Sequence, residues 1–516
     1  MSGYAVWGWG TPADEPTPQS LHELAPSVAA STGVDVQPPE LPAPDQHLAA
    51  PTRVLPASLA HLGSDHPTDR LRHGIGRAYR DLIRGIRSEL TDVPDLVVRP
   101  TSEQDVTDLL DWATSAQVAV IPFGGGTSVT GGVEPRGLPG AVSLDLSKLT
   151  GLIEVDETSR VVRLRAGTLG PTAEEALKPH GLTLRFYPQS FERSTVGGWI
   201  ATRAAGHFST RLTHIDDLVE SVRAITPVGA WESRRLPGSG AGPSPDRLLL
   251  GSEGSLGVIT EAWLRAQPRP THRWSATFSA PDFATGAQAV RALVQAGLAP
   301  ATCRLIDPVE AALSGTLTSG AAALVLGFEA LHVPLTLETD AARTICRDHG
   351  MQLLEESSPG GRGQAAQTWR STFVRAPYLR ESLVLLGILV ETFETAVTWD
   401  RFDELVAGVT AALPGVTVGV RLTHVYPDGA APYFTVIAPA RRGSEVAQWD
   451  DLKAAASEAI LALGGTITHH HAVGRDHRPW YDQQRPGVFA QAWRGAKDAL
   501  DPSGILNPGT IIGGHA

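Results

Sequence analysis

An α+β chain built from more than one unit is predicted by three observations. The first is length: 516 residues, at about 150 residues per domain, imply roughly three structural units. The second is pattern, since short strand-like runs and amphipathic helices are mixed along the whole chain without an internal repeat. The third is composition. With 53 Gly and 39 Pro beside 42% apolar residues, the fold should be rich in loops and still bury sizeable cores.

Residues 1–60 are rich in Pro, Ala and polar residues and carry Trp7 and Trp9 in a Trp-Gly-Trp-Gly cluster. They read as an extended arm pinned to a surface by its tryptophans. A helical pattern with an Arg-rich polar face spans 68–90, and a strand spans 95–100. The polar run from Thr101 to Val106 offers an N-cap to an apolar-periodic helix ending near Ala116. Strands follow at 118–121, 141–146, 153–155 and 161–166; in the last, Val161, Arg163 and Arg165 alternate with Val162, Leu164 and Ala166. This mixture reaches about Pro268. A helix at 284–297 opens a second region with apolar strands at 321–328, 383–390 and 433–437. Helix 446–463, a histidine cluster, helix 487–499 and an Asp-Pro turn close the chain.

Composition excludes several classes. The net charge of −12 disfavours a nucleic-acid binder built on a broad basic face. Only Lys148, Lys178, Lys453 and Lys497 occur, none after a glycine, so a P-loop is excluded. Cys303 and Cys346 cannot make a disulfide framework and read as reduced thiols. The first 50 residues hold no Lys or Arg and no continuous apolar run, against a secretory signal; the C-terminal Gly-Gly-His-Ala is not a peroxisomal address. A cytoplasmic protein is expected.

The most informative segment is Pro122, Phe123, Gly124, Gly125, Gly126, Thr127 and Ser128, straight after a buried strand. Three consecutive glycines allow positive φ and let successive N–H groups converge on an anion, with two hydroxyls as further donors. A pyrophosphate is the natural occupant. The third glycine position of a dinucleotide fingerprint holds Val129, which points away from nicotinamide folds. Three later stretches strengthen the reading. They are Gln189, Ser190, Phe191, Glu192, Arg193, Ser194 and Thr195 before a glycine pair; Thr202, Arg203, Ala204 and Ala205; and Glu253, Gly254, Ser255, Leu256, Gly257, Val258 and Ile259.

In that order, these motifs resemble the vanillyl-alcohol-oxidase-type FAD flavoproteins and, within them, the alkyl-dihydroxyacetone-phosphate synthases, from about Asp69 to Asn507. The resemblance implies a two-subdomain, PCMH-type FAD-binding domain at 93–269 after an arm and helical segment at 1–92. A substrate-binding cap domain would span 270–468, and a C-terminal segment at 469–516 would return to the flavin. The four stretches become the FAD contacts, with the glycine loop on the pyrophosphate. The loop contains no His or Cys, so non-covalent FAD is expected.

The same resemblance assigns substrate-phosphate binding to Arg380, proton transfer at the substrate carbon to Tyr433, and supporting catalytic roles to Arg304, His469, His470 and His471. The residue types suit those tasks. Guanidinium binds a phosphate bidentately without deprotonating, and a tyrosine base needs nearby positive charge to stabilise phenolate. The implied reaction exchanges the acyl group of an acyl-dihydroxyacetone phosphate for a fatty alcohol, with flavin as a covalent carrier and no net redox change. The partners would be that lipid phosphate, the alcohol, a second copy of the chain and a membrane touched peripherally. The rival reading keeps the fold and makes the protein an FAD-dependent D-2-hydroxy-acid dehydrogenase or oxidase; a flavin scaffold without turnover is a third. In a strand, His469 and His471 would face away from His470, so no metal is expected. Ala472 and Phe186 stand where the family pattern has glycine and histidine.

Overall fold

The computed structural model describes residues 4–42, 47–314, 316–317, 320–357 and 364–512; the C-terminal Gly-Gly-His-Ala run lies outside them. Helices and strands alternate irregularly, an α+β arrangement with three main sheets among the described residues. The first sheet has the order Gly63–Ser64, Leu96–Val98, Val142–Asp145, Val120–Phe123, and its last three strands are parallel. Val97, Val98, Val142 and Leu144 are fully buried, as expected of short parallel strands covered on both faces. The glycine loop leaves the carboxyl end of Val120–Phe123, the edge at which open parallel sheets receive ligands.

The second sheet is antiparallel, in the order Leu152–Asp156, Val161–Arg165, Val258–Arg265, Val219–Thr226, Gly229–Glu232. Its inward residues Val162, Leu164, Val222 and Ala262 pack on Trp199 of the helix Val196–Thr202.

The third sheet is the largest, with Gln352–Glu356 and Ile388–Glu394 at its edges and Thr302–Ile306, Thr417–Val425 and Gly429–Pro439 inside. Period-two alternation splits it cleanly. Cys303, Leu305, Val420, Leu422, Phe393, Phe434 and Val436 bury against the helices Phe283–Gln295, Trp399–Ala411 and Glu445–Ala462. Arg304, Arg421, Thr392, Tyr433 and Thr435 face the other way, into a cavity. A bulge between Leu422 and His424 turns both Thr423 and His424 to that side.

Four expectations are corrected. The helix expected at 68–90 is two, Pro67–His73 and Tyr79–Ile86. The intervening chain is pressed against the glycine loop, where Arg77 N–H donates to Ser128 O at 2.6 Å and a Cβ on Gly76 would strike that carbonyl. The N-terminal arm contains a helix, Pro18–Thr32, capped by Thr17 Oγ1, which accepts from Ser20 N–H at 3.1 Å. Its Pro18 occupies the first turn, where a missing N–H costs nothing. Leu21 and Val28 of that helix, with Trp7, bury against Leu383–Leu389. The strand expected at 383–390 is instead the end of the helix Gln364–Leu385, a turn at Gly387 with φ of 77°, and the start of Ile388–Glu394. An unbroken apolar run does not distinguish these states. The histidine cluster lies in bends, not a strand.

Candidate active site

One cavity of about 1040 Å³ lies between the glycine loop and the polar face of the large sheet. Every residue from Pro122 to Ser128 lines it. Gly126 takes φ of 65°, and a Cβ on Gly125 would collide with the carbonyl of Arg193, so the loop can sit flat on the 189–195 turn only without side chains. The N–H groups of Gly124, Gly125, Gly126 and Thr127 donate to no acceptor among the described residues. Four successive unpaired donors on a cavity wall form an anion cradle.

Gln189, Ser190, Ser194 and Thr195 line the same wall, as do Thr202, Ala204, Ala205, Glu253, Gly254, Gly257 and Ile259. Phe191, Glu192, Arg193, Arg203, Ser255, Leu256 and Val258 lie off it. Of these, Arg193, Ser255, Leu256 and Val258 are buried behind the wall, while Glu192 and Arg203 are exposed. Arg193 donates to the carbonyls of Gly125 at 3.0 Å and Trp9 at 2.6 Å, tying the N-terminal arm to the loop. Arg203 pairs with Asp216 at 2.7 Å. Burial pushes the Glu253 carboxyl up to about 7, although it accepts from Val473 and Gly474 N–H.

Arg304, Arg380, Tyr433, His470 and His471 also line the cavity, while His469 does not. Arg380 gives one N–H to Arg77 O at 2.6 Å and keeps a buried Nε without a protein partner. Arg304 donates to the carbonyl of His207. Burial, then the charge of Arg421, pushes its guanidinium down to about 9. Tyr433 is buried, which raises its phenol above the ordinary value near 10. Arg421 opposes that: its guanidinium sits 3.8 Å from the Tyr433 ring centre and is held by Glu310 at 2.7 Å.

The histidine bend is organised by Glu394. Burial alone would raise this carboxyl, but the surrounding imidazoles and the Thr468 hydroxyl hold it well below the usual carboxylate range. It accepts from Thr468 Oγ1 at 2.6 Å, from His470 and His471 N–H at 3.1 and 2.9 Å, and from His469 N–H. The strand alternation that argued against a metal is therefore absent. Ligand-type atoms of His424, His469 and His470 lie within 4.8 Å of one another, as do those of Glu394, His470 and His471. Some of these nitrogens are engaged in hydrogen bonds, His469 Nδ1 to His470 Nδ1 at 3.0 Å and His424 Nε2 to Gly206 O at 2.9 Å, while His471 Nδ1 lies 3.6 Å from Glu394 and makes none among the described residues.

Arg421, Glu394, His424, His214 and Tyr426 were missed by the sequence reading. For the first two a signal existed: a charged residue inside an otherwise apolar strand pattern, which is rarely tolerated without a partner or a task. His424 is displaced onto the cavity by a bulge, and bulges leave no periodic trace.

A cradle of unpaired N–H groups, a run of small residues beside it and a cavity of this size fit FAD. A family model described as "FAD binding domain" matches residues 94–233, and one described as "FAD linked oxidases, C-terminal domain" matches 269–511. The chain is thus an FAD-dependent enzyme of the FAD-linked oxidase class. The alkyldihydroxyacetonephosphate synthase of Dictyostelium discoideum is 30% identical over 480 residues, 87% of this chain and 78% of that one. That of Caenorhabditis elegans is 31% identical, over 86% and 80%. A solved alkyldihydroxyacetonephosphate synthase structure superposes with a TM-score of 0.82 at 24% identity, covering 98% of this chain and 97% of that one. The chain belongs to the alkyldihydroxyacetonephosphate synthase family.

Proposed function

We propose that the protein exchanges the acyl group of an acyl-dihydroxyacetone phosphate for a long-chain alcohol, making an ether-lipid precursor. One observation carries the reading. An arginine with a free buried donor, a buried tyrosine under a guanidinium and two imidazoles line the same cavity as the anion cradle.

FAD held there by the glycine loop, without a covalent link to the chain, would supply a nucleophilic ring nitrogen for the exchange. The chain's own residues do the rest. Arg380 binds the phosphate and fixes the reacting carbon near Tyr433. Arg421 stabilises Tyr433 as phenolate, which takes a proton from that carbon and becomes the neutral phenol. His470 and His471 manage the protons of the departing acid and the entering alcohol. The apolar part of the cavity, lined by Leu24, Val28, Leu313, Leu383, Val390 and Ile437, receives the hydrocarbon chain. No helix among the described residues is long and apolar enough to cross a membrane. Lipid delivery would then need peripheral contact with one, and by analogy with the family we take the working unit to be a homodimer in the cytoplasm.

The test is anaerobic. Purified yellow protein is mixed with acyl-dihydroxyacetone phosphate and hexadecanol, and separately with D-lactate or glycolate. Ether product formed without an electron acceptor is the expected result. Reversible two-electron bleaching by the hydroxy acid, with no ether product, would establish the dehydrogenase reading instead.

A further inference from the structure

The buried charge beside the cavity does not balance. The guanidinium groups of Arg77, Arg193 and Arg380 cluster around one carboxyl, that of Glu381. Their hydrogen bonds go to backbone carbonyls: Arg77 to Gly76, Arg193 to Gly125 and Trp9, Arg380 to Arg77. None of the three is ion-paired among the described residues. Burial pushes Glu381 up to about 7, although Trp9 N–H and the charges of Arg380 and Arg77 favour its anion. Asp81, the other carboxyl near Arg77, is raised well above its ordinary value by burial and by Glu134 beside it. A guanidinium does not deprotonate in a protein, so the cluster holds a surplus of roughly two positive charges. Buried charge of that kind is costly until an anion meets it.

Arg77 is fully buried, and its Nε and Nη2 have no partner among the described residues. It is not on the cavity wall, but it holds the arginine that is: Arg77 O accepts from Arg380 Nη2 at 2.6 Å. Its own N–H donates to Ser128 O at 2.6 Å, at the end of the glycine loop, and a Cβ on Gly76 would strike the same carbonyl. Arg193 is tied within the loop itself, through Gly125 O. We propose that Arg77 is a positioning and specificity-determining residue of the phosphate site. Its carbonyl seats Arg380, and its side chain adds a second buried charge with no counterion, so the site selects a phosphate monoester, with two negative charges, over a phosphodiester, with one. The inference rests on the assignment of Arg380 to the substrate phosphate made above.

One guanidinium matches one negative charge and would treat the two esters alike. A second unit charge, screened by protein and not by water, favours the dianion by roughly tenfold or more. The empty protein bears the desolvation of Arg77, and the bound phosphate relieves it. An apolar side chain of similar length in its place should therefore leave the empty protein at least as stable. A charge kept at a cost to the fold points to a ligand, whereas a structural arginine would be paired. The competing beneficiary is the pyrophosphate of the cofactor. Arg77 meets the glycine loop through its peptide N–H, which every side-chain substitution preserves, so the two roles separate experimentally.

Holoenzyme is titrated, with ³¹P NMR as the readout, against methyl phosphate, a dianion at about pH 8, and against dimethyl phosphate, a monoanion. Wild type should bind the monoester roughly tenfold or more tighter. Arg77→Met should lose that preference through weaker monoester binding, with the diester and FAD affinities unchanged and a urea midpoint no lower than wild type. Arg77→Lys, which restores the charge, should restore most of the preference. Retained preference in Arg77→Met, equal losses for both esters, or a fall in FAD affinity each overturns the inference, the last by giving the charge to the cofactor. If Arg77→Met does not fold, Arg77→Gln is compared with Arg77→Lys on the same preference; a side chain that no substitution can replace without unfolding is structural, and that too overturns it. A wild-type holoenzyme that binds neither ester refutes the assignment of Arg380 to phosphate. One that binds the monoester without preference refutes the role of Arg77 alone.

Discussion

Tyr433 is reached by two opposed influences, burial that raises its phenol and the Arg421 guanidinium that lowers it. Removing the hydroxyl leaves the cradle and the small-residue wall untouched. Tyr433→Phe should therefore keep its flavin absorbance and lose at least ~100-fold in turnover, the scale of a positioned acid–base group; near-normal turnover would remove Tyr433 from the mechanism. Arg380→Lys should raise KM for the phosphate substrate while flavin affinity, measured by fluorescence titration, is unchanged, because a lysine cannot reproduce the fork of a guanidinium. Ala472 is a different case. It holds φ of 73°, a left-handed conformation that costs a non-glycine residue roughly 1–2 kcal/mol. Part of that gain is lost to the greater unfolded-state freedom of glycine, about 0.5–1 kcal/mol. Ala472→Gly should stabilise the protein by about 0.5–1 kcal/mol in urea unfolding, and a lower midpoint would show that the strain is relieved in some other way.

Among the elements, the histidine bend gives the clearest pH signature. An unfolded imidazole takes up a proton below about 6.5. Folded His470 does so only near 3, because it is buried. Between those values the unfolded chain binds more protons, so stability falls as pH falls, by about 1.4 kcal/mol per unit for such a ring. At pH 5 the loss from His470 is about 2 kcal/mol, and His469 and His424 act in the same direction. Urea midpoints should drop markedly from pH 7.5 to 5.0, and less so in His470→Gln; equal midpoints would contradict this. The elements also mark where sequence reasoning succeeds. The glycine loop and the strand carrying Tyr433 are legible because their signals are local: a cluster without Cβ atoms, and a period of two. The bend at 468–471 is not, because its shape is imposed by Glu394, some 75 residues earlier in the chain. The interruption at Gly74–Ala78 escapes for the same reason, since its cause is the Ser128 carbonyl. Roles at the site, unlike the fold, came from resemblance, as no periodicity distinguishes a ligand arginine from a surface one.

For the molecule as a whole, the cavity has contributors from both ends of the chain. Leu24 and Val28 line its apolar part, and Trp9, also on its wall, is tied to the cradle through Arg193. The double substitution Leu24→Ala, Val28→Ala should leave a yellow protein whose KM for the alcohol rises roughly tenfold, about the effect of two methylenes losing their cover. Its preference among alcohol chain lengths should flatten; unchanged discrimination would place the hydrocarbon elsewhere. Val120 N–H also donates to Ile505 O at 2.8 Å and Asn507 N–H to Val120 O at 2.9 Å, so the strand that launches the glycine loop is completed by residues 505–507. Asn507 also donates to the carbonyls of Gly132 and Glu253, at 3.0 and 2.8 Å. A chain that stops short of residue 505 therefore leaves this strand without its neighbour and the glycine loop without its support. A nonsense codon as late as position 500 should yield a colourless product.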